Sequence, residues 1–205
     1  INNSCGSIQA MLPGLTGVKI ISVLHNIPDS EIARGVINGK KCHAIIAVSQ
    51  GIKKRANQLF SANSVAIPVG VPMMPDVRPR SLSGTLKLIY VGRLSEKQKN
   101  LTLLAKVLRK LKGAAIEFEF TCVGSGPDGE KFKELIRKYG LEEDCSFRGA
   151  LAPDQIQPLI AEQHLFLMTS RYEGTPHTIL EAMSVGCVPI ATRLEGSTDQ
   201  VIRSG

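Results

Sequence analysis

A chain of 205 residues can hold one large domain or two modest ones, and 43% hydrophobic residues without tryptophan suit a packed α/β protein and argue against disorder. Lys+Arg 25 against Asp+Glu 18 leaves a net charge of +7 and a pI of about 9.3, a balance that favours anionic partners: phosphorylated small molecules, nucleic acid or an acidic membrane face. Nucleic acid is the weakest of the three, because the basic clusters at 39–41, 53–55 and 109–112 are not interleaved with aromatic residues, which make up only 4% of the chain.

Short β-branched runs alternate with amphipathic stretches, the pattern of parallel βαβ units. Residues 18–25 (VKIISVLH) and 44–49 (AIIAVS) are predicted as buried strands, and 50–60 (QGIKKRANQLF) as a helix capped by Ser49. Residues 64–71 (SVAIPVGV) read as a further strand. Pro72, Pro75 and Pro79 then punctuate an aperiodic stretch, 72–84, that reads as an interdomain linker. After it the rhythm restarts with a strand over 85–94 and a helix over 100–113, apolar at three- and four-residue spacing. A strand over 117–127 closes in the turn Gly124-Ser125-Gly126-Pro127 and is followed by a helix over 128–140. A strand over 144–151, a helix over 152–163 and a strand over 164–170 come next. A last helix, opened by Thr175-Pro176 and stopped by Gly186, leads to a strand over 187–192. The sum is a doubly wound parallel sheet lacking its final elements.

Cys5, Cys42, Cys122, Cys145 and Cys187 contain no C-x-x-C pair, which disfavours a zinc site and a disulfide framework and points to a reducing, cytoplasmic compartment. No apolar run approaches the ~20 residues of a membrane span. The chain starts at Ile1 without Met and stops in mid-pattern at Gly205, as expected of a piece of a longer protein.

In such a sheet the carboxyl ends of the strands face the ligand crevice, so the loops after them are where chemistry is expected. In SRYEGTPHTILEAMSVGCVPIAT (170–192), Thr175 can cap the helix and Pro176 suits its first turn. The free N–H groups and positive dipole end then point at Glu173 and Gly174, an anion site for a phosphate group. Glu173 lies just before the helix and Glu181 nearly two turns inside it. Each carboxylate can accept sugar hydroxyls, and phosphate with flanking hydroxyl acceptors describes a nucleotide sugar. The competing reading is ordinary helix capping beside a solvated glutamate. Arg93 ends a strand, and Lys97 and Lys99 follow before the next helix. These cations can neutralise a diphosphate or can be plain surface charge. Gly124 and Gly126 form a turn without the full dinucleotide fingerprint. His25 ends an apolar strand, where a histidine is more often structural. His43, His164 and His177 lack partner patterns and are read as non-catalytic.

The segments VGRLSEKQKNLTLL, VGSGP, FRGAL and SRYEGTPHTILEAMSVGCVPIAT, in that order and spacing, resemble the group 1 glycosyltransferases of the GT-B fold. The resemblance covers residues 86–202, and VLHN, IIAVS and IPVGV extend it more loosely over 18–71. It implies two Rossmann-like domains with a donor site in the cleft between them. Residues 1–75 would be the C-terminal portion of the acceptor-side domain, 76–84 the linker, and 85–205 the nucleotide-sugar-binding domain, incomplete at its end. The family's first N-terminal strands and its last C-terminal helix are not in this chain. The implied reaction moves a sugar from a UDP- or GDP-sugar to a glycan or lipid-linked acceptor hydroxyl with retention of configuration, in polysaccharide, lipopolysaccharide or glycoconjugate synthesis. No metal or further cofactor is implied. Nor is a nucleic-acid partner, while the basic surface fits peripheral association with the inner membrane face.

By the same resemblance Glu173 would contact the donor sugar and stabilise charge near the anomeric carbon, and Glu181 would hold the ribose. Gly174, Thr175 and Pro176 would receive the diphosphate, with Arg93 and Lys99 completing the clamp and Lys97 as second choice. His25 would sit near the transferring sugar, and Gly124, Gly126, Phe147 and Arg148 would border the base. Where the family commonly carries Gly-Gly-x-x-Glu, this chain has LEGSTDQVI (194–202), with Asp199 and Gln200 near the acid's place. Two alternatives keep the fold. A sugar-nucleotide epimerase or hydrolysing relative would need acid/base residues that the sequence does not present. A non-catalytic transferase-like subunit is opposed by the presence of both Glu173 and Glu181.

Overall fold

The computed structural model describes residues 19, 21–25, 30, 32–33, 43–60, 63–73, 77 and 84–203. They form two compact units, one of residues 1–70, 172–176 and 193–205, the other of 71–171 and 177–192. Each contains a parallel sheet, so the chain is α/β as its alternating pattern predicts.

The first unit contains strands β1 (Ile21–Leu24), β2 (Ala44–Ala47) and β3 (Ser64–Ala66), ordered β1-β2-β3. Helix α1 (Gln50–Phe60) follows β2 and matches its predicted bounds. Its cap is also as predicted, since Ser49 Oγ accepts the Ile52 N–H at 3.3 Å. Leu24, Ile45, Ala47, Ile52 and Ala56 are buried together where α1 meets the sheet. β3 ends at Ala66, well short of the predicted residue 71. Beyond it the Ile67 N–H makes one more bond to the Ala47 carbonyl (2.9 Å), and Pro68 has no N–H to continue the ladder. Val18 and Ile20, Cys5 and Cys42, and most of the predicted linker lie outside the described residues.

The second unit contains β4 (Leu86–Val91), β5 (Phe118–Val123), β6 (Cys145–Gly149), β7 (Leu165–Met168) and β8 (Val188–Ala191), ordered β6-β5-β4-β7-β8. The order runs outward from β4 in one direction and then, through β7, in the other, which makes the sheet doubly wound with its switch point between β4 and β7. Its helices are α2 (Glu96–Lys99), α3 (Leu101–Gly113), α4 (Gly129–Lys138), α5 (Pro153–Ala161) and α6 (His177–Ser184). Leu88 to Val91 are all buried, as expected of a central strand covered on both faces. On one face Leu88 and Phe120 pack with Leu104, Leu108 and Phe132 of α3 and α4. α6 lies on β7 and β8.

The strands are shorter than predicted because the turns at their carboxyl ends, 92–94 and 124–127, are loops. Conversely, a stretch predicted as loop is helical. Lys97 and Lys99 ride on α2, one turn long, which Asn100 separates from α3 by adopting a left-handed conformation (φ 52°, ψ 56°). The Asn100 N–H closes α2 on the Glu96 carbonyl (3.1 Å), and its own carbonyl accepts the N–H groups of Leu103 and Leu104. Asparagine tolerates this conformation better than most residues.

Three helices in this unit end alike. After α4, α6 and α3 a residue with positive φ lets the following N–H return to the carbonyl five residues back: Gly140 (64°), Gly186 (74°) and Ala115 (55°). Gly186 thus stops α6 as the sequence predicts. Among the described residues no helix is long and apolar enough to cross a membrane. Cys122, Cys145 and Cys187 are free thiols.

Candidate functional site

In the larger unit, main-chain hydrogen bonds tie together the exits of three neighbouring strands. Gly92 N–H donates to the Val123 carbonyl and Leu94 N–H to the Ser125 carbonyl, both at 3.0 Å, and Gly124 N–H donates to the Gly149 carbonyl at 2.7 Å. Gly124 takes φ +134°, and any side chain there would collide with the Gly92 carbonyl. A side chain at Gly126 would run into the backbone of Leu94. Both predicted glycines are therefore required by close approach of the backbone, and they form a side-chain-free floor at the carboxyl end of the sheet.

The predicted cations rise from this floor in different ways. The Arg93 side chain is exposed, while its carbonyl accepts the hydroxyl of the buried Tyr90 at 2.9 Å. Lys97 is exposed, and Arg148 lies exposed on β6 beside Gly149. Phe147 points into the core and packs edge-on against Phe132, 5.8 Å between ring centres. Lys99 is half-buried, and its Cε stands 3.7 Å from the position a Cβ would take at Gly92. Of the two candidate lysines, Lys99 is thus the one whose stem lies over the end of β4.

Sequence reasoning missed the residues that hold α2. The Asp128 carboxylate accepts the Glu96 N–H (2.9 Å) at the helix start. Thr169 Oγ1 donates toward the carbonyls of Lys99 and Asn100 (2.9 and 3.2 Å) at its end. Arg171 donates through its backbone to the Gln98 carbonyl (2.8 Å) and through Nη2 to Glu96 Oε1 (2.9 Å) and Asn100 Oδ1 (2.8 Å). No local spacing announces these contacts. Arg171 does sit inside the quoted SRYEG motif, two residues before Glu173.

Glu181 is half-buried on α6, and burial raises its carboxyl above the ordinary range. His177, one turn earlier, pulls the other way. α6 begins at His177, so Pro176 precedes the helix and does not occupy its first turn.

In the smaller unit, the segment 172–176 lies against the carboxyl ends of β1 and β2. Gly174 meets the His25 carbonyl so closely that a side chain would not fit between them. The Thr175 hydroxyl, predicted as a helix cap, donates to the Val48 carbonyl. Ser197 Oγ donates to the Gly174 carbonyl at 3.0 Å. Glu173 and Pro176 are buried, whereas the His25 side chain is exposed. The structure therefore brings His25, Gly174 and Thr175 together through backbone as much as through side chains, and it assigns Glu173 and Glu181 to different units. Asp199 Oδ1 accepts the Ser197 N–H (3.1 Å) beside the short 3-10 turn Thr198–Gln200, and Gln200 is exposed. Among the described residues no group of three His, Cys, Asp or Glu side chains is placed to hold a metal ion.

Residues 77–205 match the family described as glycosyl transferases group 1. The chain belongs to that family. This group 1 chain is similar to the lipopolysaccharide 1,6-galactosyltransferase of Salmonella typhimurium, 32% identical over 167 residues, 78% of this chain and 45% of that protein. Among solved structures it is similar to S. aureus TarM (TM-score 0.83, 18% identity, 97% of this chain and 41% of that one). It is also similar to Anabaena HepE, solved in complex with UDP-glucose (TM-score 0.76, 20% identity, 91% and 56%). These likenesses establish the GT-B fold for this group 1 member. The chain spans less than half the length of the curated relatives it matches.

Proposed function

We propose that this chain binds the nucleotide-diphosphate sugar of a retaining, hexosyl-type glycosyltransferase. Within its whole protein, the sugar passes to an acceptor hydroxyl in polysaccharide, lipopolysaccharide or glycoconjugate synthesis. The observation that carries this reading is the position of Lys99 over Gly92. A lysine whose stem lies beside Gly92 and the Tyr90 hydroxyl, next to the glycines at 124 and 126 and where the strand order reverses, is suited to a diphosphate. Residues 85–205 serve as the donor domain, 76–84 as the linker and 1–75 as the acceptor side. The complex of HepE with UDP-glucose supports a nucleotide-sugar ligand for the same fold.

In the reaction the bond from the anomeric carbon to the diphosphate breaks, and negative charge grows on the leaving oxygens. Lys99 and Arg93, with the backbone of Gly174 to Pro176, favour that state over the ground state, which is the origin of the rate enhancement. Glu173 stabilises the positive charge at the anomeric carbon and Glu181 holds the ribose hydroxyls. The acceptor oxygen bonds to the anomeric carbon on the face that the diphosphate leaves, and the departing oxygen, itself basic, takes the acceptor's proton. Gly124, Gly126 and Arg148 border the base, and His25 faces the transferring sugar. A lipid-linked acceptor and the net charge of +7 would suit association with an anionic membrane face.

Calorimetric titration with UDP, GDP and ADP, with and without Mg²⁺, tests the reading. One nucleotide is expected to bind without metal and to bind more weakly to Glu181→Gln. Equal binding by the two proteins would remove Glu181 from the site.

A further inference from the structure

We infer that Arg171 and Glu96 act together as positioning residues, holding α2 so that Lys99 is aimed over Gly92. The inference rests on the donor reading above and names what sets the geometry of its central cation. α2 is a single turn, too short to persist by its own hydrogen bonds. Asn100, in a left-handed conformation, separates it from α3, so it is not a continuation of the longer helix. What holds it comes from elsewhere in the fold. Asp128 binds its first N–H, Thr169 its last carbonyls, and Arg171 spans it. One terminal nitrogen of Arg171 donates both its hydrogens, to Glu96 at one end of the turn and to Asn100 at the other, while its backbone N–H takes the Gln98 carbonyl between them. Glu96 in turn accepts the Thr102 N–H at 2.9 Å, which ties the start of α2 to the start of α3.

Arg171 enters this arrangement from the exit of β7, the strand that pairs with β4 across the switch point. The loops on the two sides of that point are thus fixed to each other through α2, and Lys99 is carried on the fixed piece. The Arg171–Glu96 pair is half exposed (side chains 50% and 37%), so it contributes little to stability. Its effect falls on the position of the turn.

The sign of the charge separates positioning from simple electrostatics. Removing Arg171 takes away a positive charge, and removing Glu96 takes away a negative one. If the pair acted only through its field, Glu96→Ala would strengthen diphosphate binding. Positioning predicts that both changes weaken it. Titrations of UDP, GDP and ADP, and of the corresponding monophosphates, are made on the unchanged chain, Arg171→Met and Glu96→Ala, each also in a Lys99→Met background. Both single variants are expected to lose about tenfold in diphosphate affinity, a scale set by the cost of small misplacements at such sites. They keep monophosphate affinity and a melting temperature within about 2 °C of the parent, as suits an exposed pair. In the Lys99→Met background neither is expected to lower diphosphate affinity further. Tighter diphosphate binding by Glu96→Ala, or the full loss persisting without Lys99, overturns the inference while leaving the donor reading intact. Failure of the unchanged chain to bind any of the nucleotides overturns the donor reading and this role with it.

Discussion

Gly174 and the carbonyl of His25 are in contact with no space for a β-carbon between them. The obstacle is backbone at the end of β1, which cannot swing aside as a flexible side chain would. Gly174→Ala is therefore expected to cost about 2 kcal/mol or more, with a fall in melting temperature of about 4–8 °C for a chain of this size. Because Thr175 and Ser197 hold the same segment, the displacement reaches both neighbours. Thermal denaturation followed by circular dichroism checks the first expectation, and loss of nucleotide binding on the same sample checks the second.

Glu181 offers a test in which stability and binding move in opposite directions. Burial raises its carboxyl, so the folded chain holds the proton more tightly than the unfolded chain does. The associated stability is present below the ordinary glutamate pKa of about 4.3 and is lost as pH rises through the raised value. Glu181→Gln removes that loss. The variant should melt slightly above the parent at neutral and alkaline pH, and the difference should shrink as pH falls toward the ordinary glutamate range. Its nucleotide affinity should be lower throughout. A variant that melted lower at neutral pH would show that the ionised carboxylate is favourable in the folded chain.

Ala115 occupies the place that Gly140 and Gly186 take after their helices, with φ 55° and its side chain exposed. An alanine in that conformation is strained, whereas glycine adopts it freely at the expense of a more flexible unfolded chain. Ala115→Gly is expected to stabilise the chain by about 0.5 kcal/mol, raising the melting temperature by about 1–2 °C. Scanning calorimetry resolves a change of that size, and destabilisation would mean that the methyl group has a packing role.

Cys122 and Cys145 are pushed up to about 12, in both cases chiefly by burial. Their thiolates are scarce near pH 8, so iodoacetamide should leave both unmodified in the folded chain over a time that modifies them fully in urea. Peptide mapping by mass spectrometry reads each cysteine separately. Rapid native labelling of Cys145, the more accessible of the two, would show that β6 opens at the sheet edge.

Much of the fold can be read from local chemistry. Ser49 before α1 and Gly186 after α6 announce helix ends whose geometry depends on a few neighbouring residues. α2 could not be read this way. Glu-Lys-Gln-Lys has no apolar periodicity, and its partners Asp128, Thr169 and Arg171 are 32 residues or more away along the chain. The glycines at 124 and 126 are visible as a turn, but the reason for them, the neighbouring backbone of Gly92 and Leu94, is tertiary. Thr175 shows the opposite failing. Its place before a helix suggests a cap, and the carbonyl of Val48, just past the end of β2, takes its hydroxyl instead. The carboxylates Glu173 and Glu181 stand out by residue type and spacing, which says nothing of how differently each is buried.

The floor formed by Gly92, Gly124 and Gly126 is made of peptide groups joined to one another. Its shape requires that no side chain be present at Gly124 and Gly126, and the Tyr90 hydroxyl braces it from the core side. Such a surface can pass unchanged through extensive divergence. Ser125 beside it lends its carbonyl and leaves its side chain exposed, so a new ligand preference can evolve from the rim inward without the sheet being rebuilt.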